Sequence, residues 1–362
     1  MTTSRAVVFH GPNRPFSHET VIVPALREGE FLVRNEYTTL CRSDLNTFCG
    51  KRNEKTPTIL GHEVVGRIEA VGPGAPREDC RGNPLHAGDR ITWAIYAANP
   101  SSELARRGMP QKAGDLFKYG HERITDSCHL HGGLAEHCVL RAHTPIVRLD
   151  TTIPLALGAL INCSVATVAG SLRLVDRIEG QNVIVCGAGM LGLIACAMSC
   201  QAGAREVIAV DIHEDRLSTA EDFGASRTVL LGPAMPTLQE QLAPFLAGES
   251  VTVAMDYSGV PDSMEMLLDV LGIGGALVLV GATYPQRPIT LSAEQVVRRL
   301  HTIKGLHNYN QSDLVAGVEF IEKHFRKFPF EQLVDDRFSL EQVDEAFNYA
   351  LTSRAYRVGI RI

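Results

Sequence analysis

The spacing of Gly187-Ala188-Gly189-Met190-Leu191-Gly192 implies a definite chemistry in this 362-residue chain. The six residues follow the apolar run Asn182-Val183-Ile184-Val185-Cys186 and lead into a run rich in Ala, Leu and Met that ends near Gln201. Glycines at this spacing between a strand and a helix serve a pyrophosphate. Gly187 permits the tight turn, Gly189 lets the backbone come close to the phosphates, and Gly192 lets the helix pack on the strand. Met190 and Leu191 open the helix, whose free N–H groups and positive dipole end face the anion. Asp211 ends the next short apolar run, Glu206 to Asp211. A carboxylate there accepts hydrogen bonds from both ribose hydroxyls and repels a 2′-phosphate, so NAD is expected rather than NADP. Arg216 is placed to flank the adenosine. The plainer alternative makes Asp211 a turn cap and Arg216 a solvated cation.

Three further segments carry thiol, imidazole and carboxyl groups: Leu40-Cys41-Arg42-Ser43-Asp44-Leu45-Asn46, then Gly61-His62-Glu63, and much later Ile161-Asn162-Cys163-Ser164-Val165-Ala166-Thr167. Taken singly, each cysteine is more often a small buried hydrophobe than a ligand. Taken together, in this order and with the glycine motif, they resemble the zinc-containing medium-chain alcohol dehydrogenases over essentially the whole chain. That resemblance implies one catalytic zinc held by Cys41, His62 and Cys163, three protein ligands that leave a position open for substrate. Zinc lowers the pKa of bound water from 15.7 to about 7 and acts similarly on an alcohol, which can then yield hydride to the nicotinamide. By the same resemblance Ser43 is the first proton acceptor and Asp44 orients His62. Glu63 tunes the metal, its plainer alternative being an ordinary ion pair, and Thr167 stands near the nicotinamide amide.

Two departures from the family follow. Many members hold a second, structural zinc with four cysteines in a surface lobe, and here Asn99, Ser102, Ala105 and Ala113 stand at those positions. Alanine cannot ligate zinc, and Ser and Asn are poor ligands, so a single zinc is expected, with the lobe ordered by other means. Asn46 stands where many members have a proton-relaying histidine, and asparagine has no nitrogen that titrates near pH 7. Water, or one of His10, His121, His129 and His131, must then carry the proton.

The substrate expected is a small alcohol or aldehyde. If two of Arg42, Arg52, Lys118 and His121 converge at the site, it is anionic, such as a phosphonate or carboxylate. The stretches Met109 to Lys112 and Leu116 to His121 also resemble a subgroup associated with phosphonate catabolism. Two competing functions stay open: a polyol or amino-alcohol dehydrogenase, and, from another class, a non-catalytic NAD-binding protein.

The elements that must position these residues change in texture near Asp150. The first ~150 residues look β-rich, with Val7-Val8-Phe9, Phe31 to Arg34 and Val64 to Val71 as strands and a polar excursion over 97–122. Beyond them, a helix-like stretch from Leu155 to Leu174 precedes apolar strands at 182–186, 206–211, 251–256 and 276–281 that alternate with helices. This is an α/β pattern: a β-rich domain of residues 1–150 and 296–362, GroES-like by the resemblance, and a Rossmann domain of 151–295 with a doubly wound parallel sheet. Ala276 to Gly281 is expected at the sheet edge, where a homodimer or homotetramer would pair.

Composition narrows the partners. The net charge is −6 and no long basic run occurs, so nucleic acid is not expected. No apolar run is taken to reach the ~18 residues of a membrane span. With nine cysteines, an odd number, and no signal-peptide pattern at the start, a reduced, cytoplasmic setting is expected.

Overall fold

The computed structural model describes residues 2–246 and 248–362. They form two compact units. The first runs to Ala166 and resumes over Asn310–Arg326 and Phe330–Ile362, and the second takes Thr167–Tyr309 with Lys327–Pro329. These boundaries differ from those expected at 150 and 295, for two packing reasons. The helix that begins at Leu155 packs on strands Phe31–Leu40 and Glu63–Val71 of the first unit. At the other end, Thr302–Gly305 adds a parallel strand to the sheet of the second unit. The change of texture marks where β-rich sequence ends, whereas the units divide where the packing does.

The first unit is built on a seven-stranded sheet. Its order is Val334–Ser339, Arg357–Arg361, Phe31–Leu40, Glu63–Val71, Arg90–Trp93 and Ile146–Arg148, with His137–Leu140 also paired to Phe31–Leu40. All neighbours are antiparallel except the first pair, Val334–Ser339 with Arg357–Arg361. The register sets Thr39 opposite Glu63 and Gly359 opposite Thr39, which brings the C-terminal strand beside the segment carrying His62 and Glu63. Phe31, Val33, Val64, Ile68, Ile91 and Trp93 fill one side of this sheet. A small two-stranded sheet, Thr3–Val8 with Ser17–Ile22, extends the expected first strand into a hairpin.

The excursion over 97–122 is ordered by local contacts. Strands Tyr96–Ala97 and Phe117–Lys118 pair at its base. Ser102 Oγ caps the short helix Glu103–Arg106 by accepting from the Ala105 N–H, Asn99 Oδ1 accepts from the Ser101 N–H, and Ala113 is buried.

The second unit carries a six-stranded, wholly parallel sheet. The order is Arg227–Leu230, Glu206–Asp211, Asn182–Cys186, Val251–Asp256, Leu271–Leu279 and Thr302–Gly305. In chain order within the unit this is 3-2-1-4-5-6, the doubly wound arrangement of dinucleotide-binding sheets. The strands are Val/Ile/Leu-rich and buried on both faces, as parallel strands covered by helices must be. Strand Leu271–Leu279 is interior. The edge belongs to Thr302–Gly305, which corrects the expectation for residues 276–281: that run lacked any sign that one more strand would follow.

One expectation about membranes also needs correction. Residues Leu155–Arg173 form a helix of 19 residues with mean hydropathy 1.7, long and apolar enough to cross a membrane. Of its most apolar window 67% is buried inside the fold, so packing against protein accounts for its apolar character.

An aromatic cluster anchors the helix Arg42–Phe48 that starts beside Cys41. Phe48 stacks on Phe16 at 5.6 Å between ring centroids and meets Phe347 at 5.0 Å, and Phe9 completes the group. Phe347 is fully buried. Phe347→Ala should therefore cost about 3–5 kcal/mol of stability, measured by urea unfolding followed by circular dichroism. A loss below ~1 kcal/mol would show that the cluster does not anchor the helix.

Candidate metal centre and nucleotide loop

Three segments deliver the three donors. Cys41 stands immediately before helix Arg42–Phe48, and the Asp44 carboxylate caps that helix by accepting from the Cys41 N–H at 2.9 Å. His62 lies at the entrance to strand Glu63–Val71. Cys163 sits in a single π-helical turn, Ile161–Val165, between helical segments Leu155–Leu160 and Ala166–Arg173. Such a turn inserts an extra residue into the helical repeat and re-aims side chains, and it is frequent at functional sites. Here the turn is tied to the neighbouring strand: Asn162 Oδ1 accepts from the Val64 N–H at 3.3 Å, and Ser164 Oγ donates to Glu63 Oε1 at 2.9 Å.

The result is a cluster in which one donor atom each from Cys41, His62 and Cys163 lies within 4.8 Å of the others. Two sulfurs about 2.3 Å from one tetrahedral ion are about 3.8 Å apart, so the donors fit zinc with little adjustment. It is the one such group of three or more ligand side chains among the described residues. His62 Nδ1 lies 3.3 Å from Asp44 Oδ1, a charge contact that turns Nε2 toward the sulfurs. Ser43 Oγ is 3.4 Å from that Nε2. The two thiols favour a single thiolate, at Cys41, and the hydrogen bond to Cys41 together with burial pushes Cys163 well above its ordinary range. The Cys41 thiol is held well below its ordinary range by the hydrogen bond from Cys163, with the charges of Arg357 and His62 adding to this against burial. Burial opposes charge on His62, but the Asp44 carboxylate raises its pKa well above the usual value.

Behind the ligands is a charge pair that sequence reasoning missed. Glu63 is fully buried and Arg357 is 6% exposed. Arg357 Nε donates to Glu63 Oε2 at 2.9 Å, and its Nη2 donates to Glu63 Oε1 at 3.2 Å, to Ser164 Oγ at 3.0 Å and to Cys41 Sγ at 3.7 Å. Thr39 Oγ1 donates to Glu63 Oε2 at 2.5 Å. Each Glu63 oxygen therefore has two donors, which is full satisfaction for a carboxylate. Burial raises the Glu63 pKa, and Arg357 counters this. Glu63 is thus fully committed to its neighbours, and the ion-pair alternative weighed for it describes its contacts. The sequence signal for Arg357 was slight: it is one of two arginines that bound the terminal strand Arg357–Arg361.

Of the four histidines weighed as proton carriers, His121 lies beside His62, with ring centroids 5.1 Å apart. His10 pairs with Ser17 and His129 with the Ile22 carbonyl. His131 is buried without a hydrogen-bond partner, and burial pulls its pKa down to about 4. Of the four candidate pocket residues, Arg52 and His121 are joined through Glu54, Lys118 is half-buried nearby, and Arg42 is exposed.

In the second unit, Gly187 makes the turn after strand Asn182–Cys186 with φ +94°, and Gly189 precedes helix Met190–Gln201. A Cβ on Gly192 would lie 1.9 Å from the Gly187 carbonyl oxygen, so helix packing requires that glycine. A Cβ on Gly189 would meet no protein atom within 4 Å. The fold does not demand glycine there, and an approaching ligand would. Met190 is buried and Leu191 half-buried. Asp211 accepts from the Ala188 N–H at 2.7 Å and from the Ile212 and His213 N–H groups at 2.7 and 3.0 Å. It caps the turn as the plainer alternative had it; Oδ1 is filled by the Ile212 and His213 N–H groups, and Oδ2, with the Ala188 N–H alone, keeps lone-pair capacity for a ribose hydroxyl. Arg216 Nη1 lies 4.0 Å from Asp211 Oδ2. Thr167 is half-buried in helix Ala166–Arg173.

A β-rich unit with a Cys2His cluster and a Rossmann-type sheet define a zinc-binding dehydrogenase architecture. Residues 27–151 match the model of the alcohol dehydrogenase GroES-like domain, and residues 191–323 match that of the zinc-binding dehydrogenases. The chain belongs to the zinc-containing medium-chain alcohol dehydrogenase family. Among its relatives, an NDMA-dependent alcohol dehydrogenase of Amycolatopsis methanolica is 27% identical over 366 residues, covering 95% of each chain. Galactitol 1-phosphate 5-dehydrogenase of Escherichia coli is 27% identical over 334 residues, covering 91% of each. The crystal structure of an alcohol dehydrogenase from Thermotoga maritima shares the fold, with a TM-score of 0.93 at 24% identity over 100% of both chains.

Replacing Arg357 by Met would strand the Glu63 charge in the interior. It should destabilise the protein by about 3–5 kcal/mol. The paired change Arg357→Met with Glu63→Gln should recover part of that loss. Thermal and urea unfolding of the single and double variants checks this, and equal losses in both would refute the pairing argument.

Proposed function

We propose that this protein is an NAD-dependent oxidoreductase that interconverts an alcohol with its aldehyde or ketone, using one zinc ion at Cys41, His62 and Cys163. The observation that carries this is the convergence of three donors from segments far apart in the chain. A chain that only binds a dinucleotide has no use for such a cluster, which argues against the non-catalytic reading. When bound, the ion supplies a Lewis acid for the substrate oxygen and NAD supplies the hydride acceptor.

The chain's own residues supply the rest. Ser43 Oγ takes the hydroxyl proton, and with Asn46 next in line, water carries it onward. Asp44 fixes the orientation of His62, while Glu63 and Arg357 hold the thiolate side of the centre in place. Gly187, Gly189, Met190, Leu191 and Gly192 cradle the pyrophosphate, Asp211 takes the ribose hydroxyls with Arg216 beside it, and Thr167 meets the nicotinamide amide. The buried carboxylate of Asp211 supports NAD over NADP by repelling a 2′-phosphate. Asn99, Ser102, Ala105 and Ala113 support a single zinc per chain, because none of them is a good zinc ligand.

The substrate reading is an alcohol that carries an anionic group such as a phosphonate. Its support is the joining of Arg52 to His121 through Glu54 beside His62. The polyol alternative is supported by the similarity to galactitol 1-phosphate 5-dehydrogenase, named for a polyol phosphate. Nine cysteines without a disulfide suit a reducing, cytoplasmic setting. Edge strand Thr302–Gly305, with Leu300 and Val297 exposed before it, is where a second copy would pair to make a homodimer or part of a homotetramer.

Metal analysis should find one zinc per chain, and two would sink the single-site reading. Cys163→Ser should lose most of that zinc and lower kcat/KM on any alcohol by about two orders of magnitude or more. Asp211→Gly should move the preference between NAD and NADP by about tenfold or more toward NADP, read from initial rates with each cofactor.

A further inference from the structure

Within the second unit, the strand order of the parallel sheet reverses between Asn182–Cys186 and Val251–Asp256, which are neighbours with Cys186 opposite Asp256. Dinucleotides bind across a crevice of this kind. Gly187 leaves the first of these strands, and residues 257–260 lead from the second into helix Pro261–Val270. Asp256 is the last residue of its strand and is fully buried. Its Oδ1 accepts from Ser258 Oγ at 2.6 Å and from the Ser258 N–H at 3.2 Å. Its Oδ2 accepts from the Gly259 N–H at 3.0 Å. No cation pairs with it among the described residues. Burial raises its pKa, and the bonds from Ser258 and Gly259 counter this. Glu63, the buried carboxylate of the first unit, is matched by an arginine, whereas Asp256 is held by the neutral donors of a single turn. A carboxylate buried in this way carries a desolvation penalty, and such groups cluster at functional sites.

The turn depends on this carboxylate at two residues. Tyr257 is fixed by other means: its N–H donates to the Cys186 carbonyl at 2.8 Å, and its hydroxyl lies 2.5 Å from Ser171 Oγ. The N–H groups of Ser258 and Gly259 have no acceptor but Asp256 among the described residues. Those two residues are also the ones whose backbone meets the loops on either side. A Cβ on Gly187 would lie 2.8 Å from the Ser258 nitrogen, and a Cβ on Gly281 would lie 2.2 Å from the Gly259 nitrogen. No side chain cushions these contacts, so a shift of the turn displaces Gly187 as well. Gly187 is closed in from the other direction by its own helix, since a Cβ on Gly192 would lie 1.9 Å from the Gly187 carbonyl oxygen. Through Ser258 and Gly259, Asp256 therefore governs the position of loop 187–192.

We propose that Asp256 is the positioning residue of the nucleotide loop: by holding Ser258 and Gly259 against Gly187, its carboxylate fixes where the backbone of residues 187–192 meets the pyrophosphate of the dinucleotide. It acts through the turn and not by contact with the cofactor. The role deepens the nucleotide-binding reading and rests on it. A residue that sets the pyrophosphate loop acts alike on NADH and NADPH, because both carry the pyrophosphate, whereas the carboxylate of Asp211 tells them apart. Asparagine at position 256 would fill the same volume with one acceptor and one donor group. Its amide would face either the Ser258 or the Gly259 N–H donor to donor, and the turn would move.

The test is binding, which needs no turnover. Fluorescence titration with NADH and with NADPH is carried out on the folded protein, well below its melting temperature. Asp256→Asn should weaken both about tenfold or more, with the ratio between them held within about twofold. ADP-ribose, displacing NADH, should lose affinity as NADH does, while adenosine, which lacks the pyrophosphate, should change by no more than about twofold. Ser258→Ala removes one donor and keeps the backbone, and should weaken NADH about threefold. The double variant should bind NADH no more weakly than Asp256→Asn, within about twofold, because both changes act through one turn. Should Asp256→Asn fail to fold, the loss of NADH and ADP-ribose affinity in Ser258→Ala, with adenosine spared, decides in its place. Unchanged NADH affinity in the folded variants, even with a lowered melting temperature, would overturn the proposal and leave the nucleotide reading intact. Equal losses for adenosine and ADP-ribose would overturn it too, as the mark of a general disturbance of the fold. A wild-type protein that binds neither NADH nor NADPH would overturn the nucleotide reading, and the role of Asp256 with it.

Discussion

The carboxylate of Glu63 and the guanidinium of Arg357 are buried together, and neither would be tolerated there alone. A lone ion at that depth would carry several kcal/mol of desolvation penalty, so each requires the other. That requirement fixes the arrangement of three segments. Glu63 belongs to the strand that follows His62, Arg357 to the terminal strand, and Ser164, which bonds to both, to the π turn that carries Cys163. Arg357 also donates to Cys41. One charge pair thus touches or adjoins every segment that supplies a metal donor. The three candidate donors occupy positions that this network helps to determine.

The lobe over 97–122 illustrates how a fold retains a shape with different means. Where cysteines would hold an ion, Ser102 caps a short helix, Asn99 closes a turn and Ala113 fills a buried position. Each gives the lobe a local hydrogen bond or packing contact. The same excursion ends in the turn, closed by the His121 N–H on the Lys118 carbonyl, that brings His121 beside His62. This segment therefore contributes a side chain beside the candidate metal ligand His62.

The nucleotide half was the most legible in the sequence. Strands 182–186, 206–211 and 251–256 fall where their apolar runs placed them, because buried parallel strands have no other way to be written. The candidate donor set was legible through Cys41, His62 and Cys163 in order, and their donor atoms lie within 4.8 Å of one another. The features that escaped share a physical cause. Arg357 pairs with Glu63 across almost the whole chain, and no local pattern encodes such a contact. The π turn at Ile161–Val165 has the composition of an ordinary apolar helix, and its extra residue leaves no mark. The link from Arg52 through Glu54 to His121 joins loops whose separation in sequence says nothing of their distance. Thr302–Gly305 was too short and too polar to announce itself as a strand.

The discontinuity of the first unit has a consequence for synthesis. Cys41, His62 and Cys163 leave the ribosome before any of the nucleotide-binding sheet is made, while Arg357 follows only after that sheet is complete. During that interval Glu63 has no buried counter-ion and strand Phe31–Leu40 lacks the neighbour it pairs with at Val358 to Arg361. The nascent chain must therefore keep three thiol and imidazole ligands in an unsealed half-sheet while an independent domain folds in the middle. The arrival of one late strand joins Phe31–Leu40 to Val334–Ser339 and neutralises the buried carboxylate in the same event.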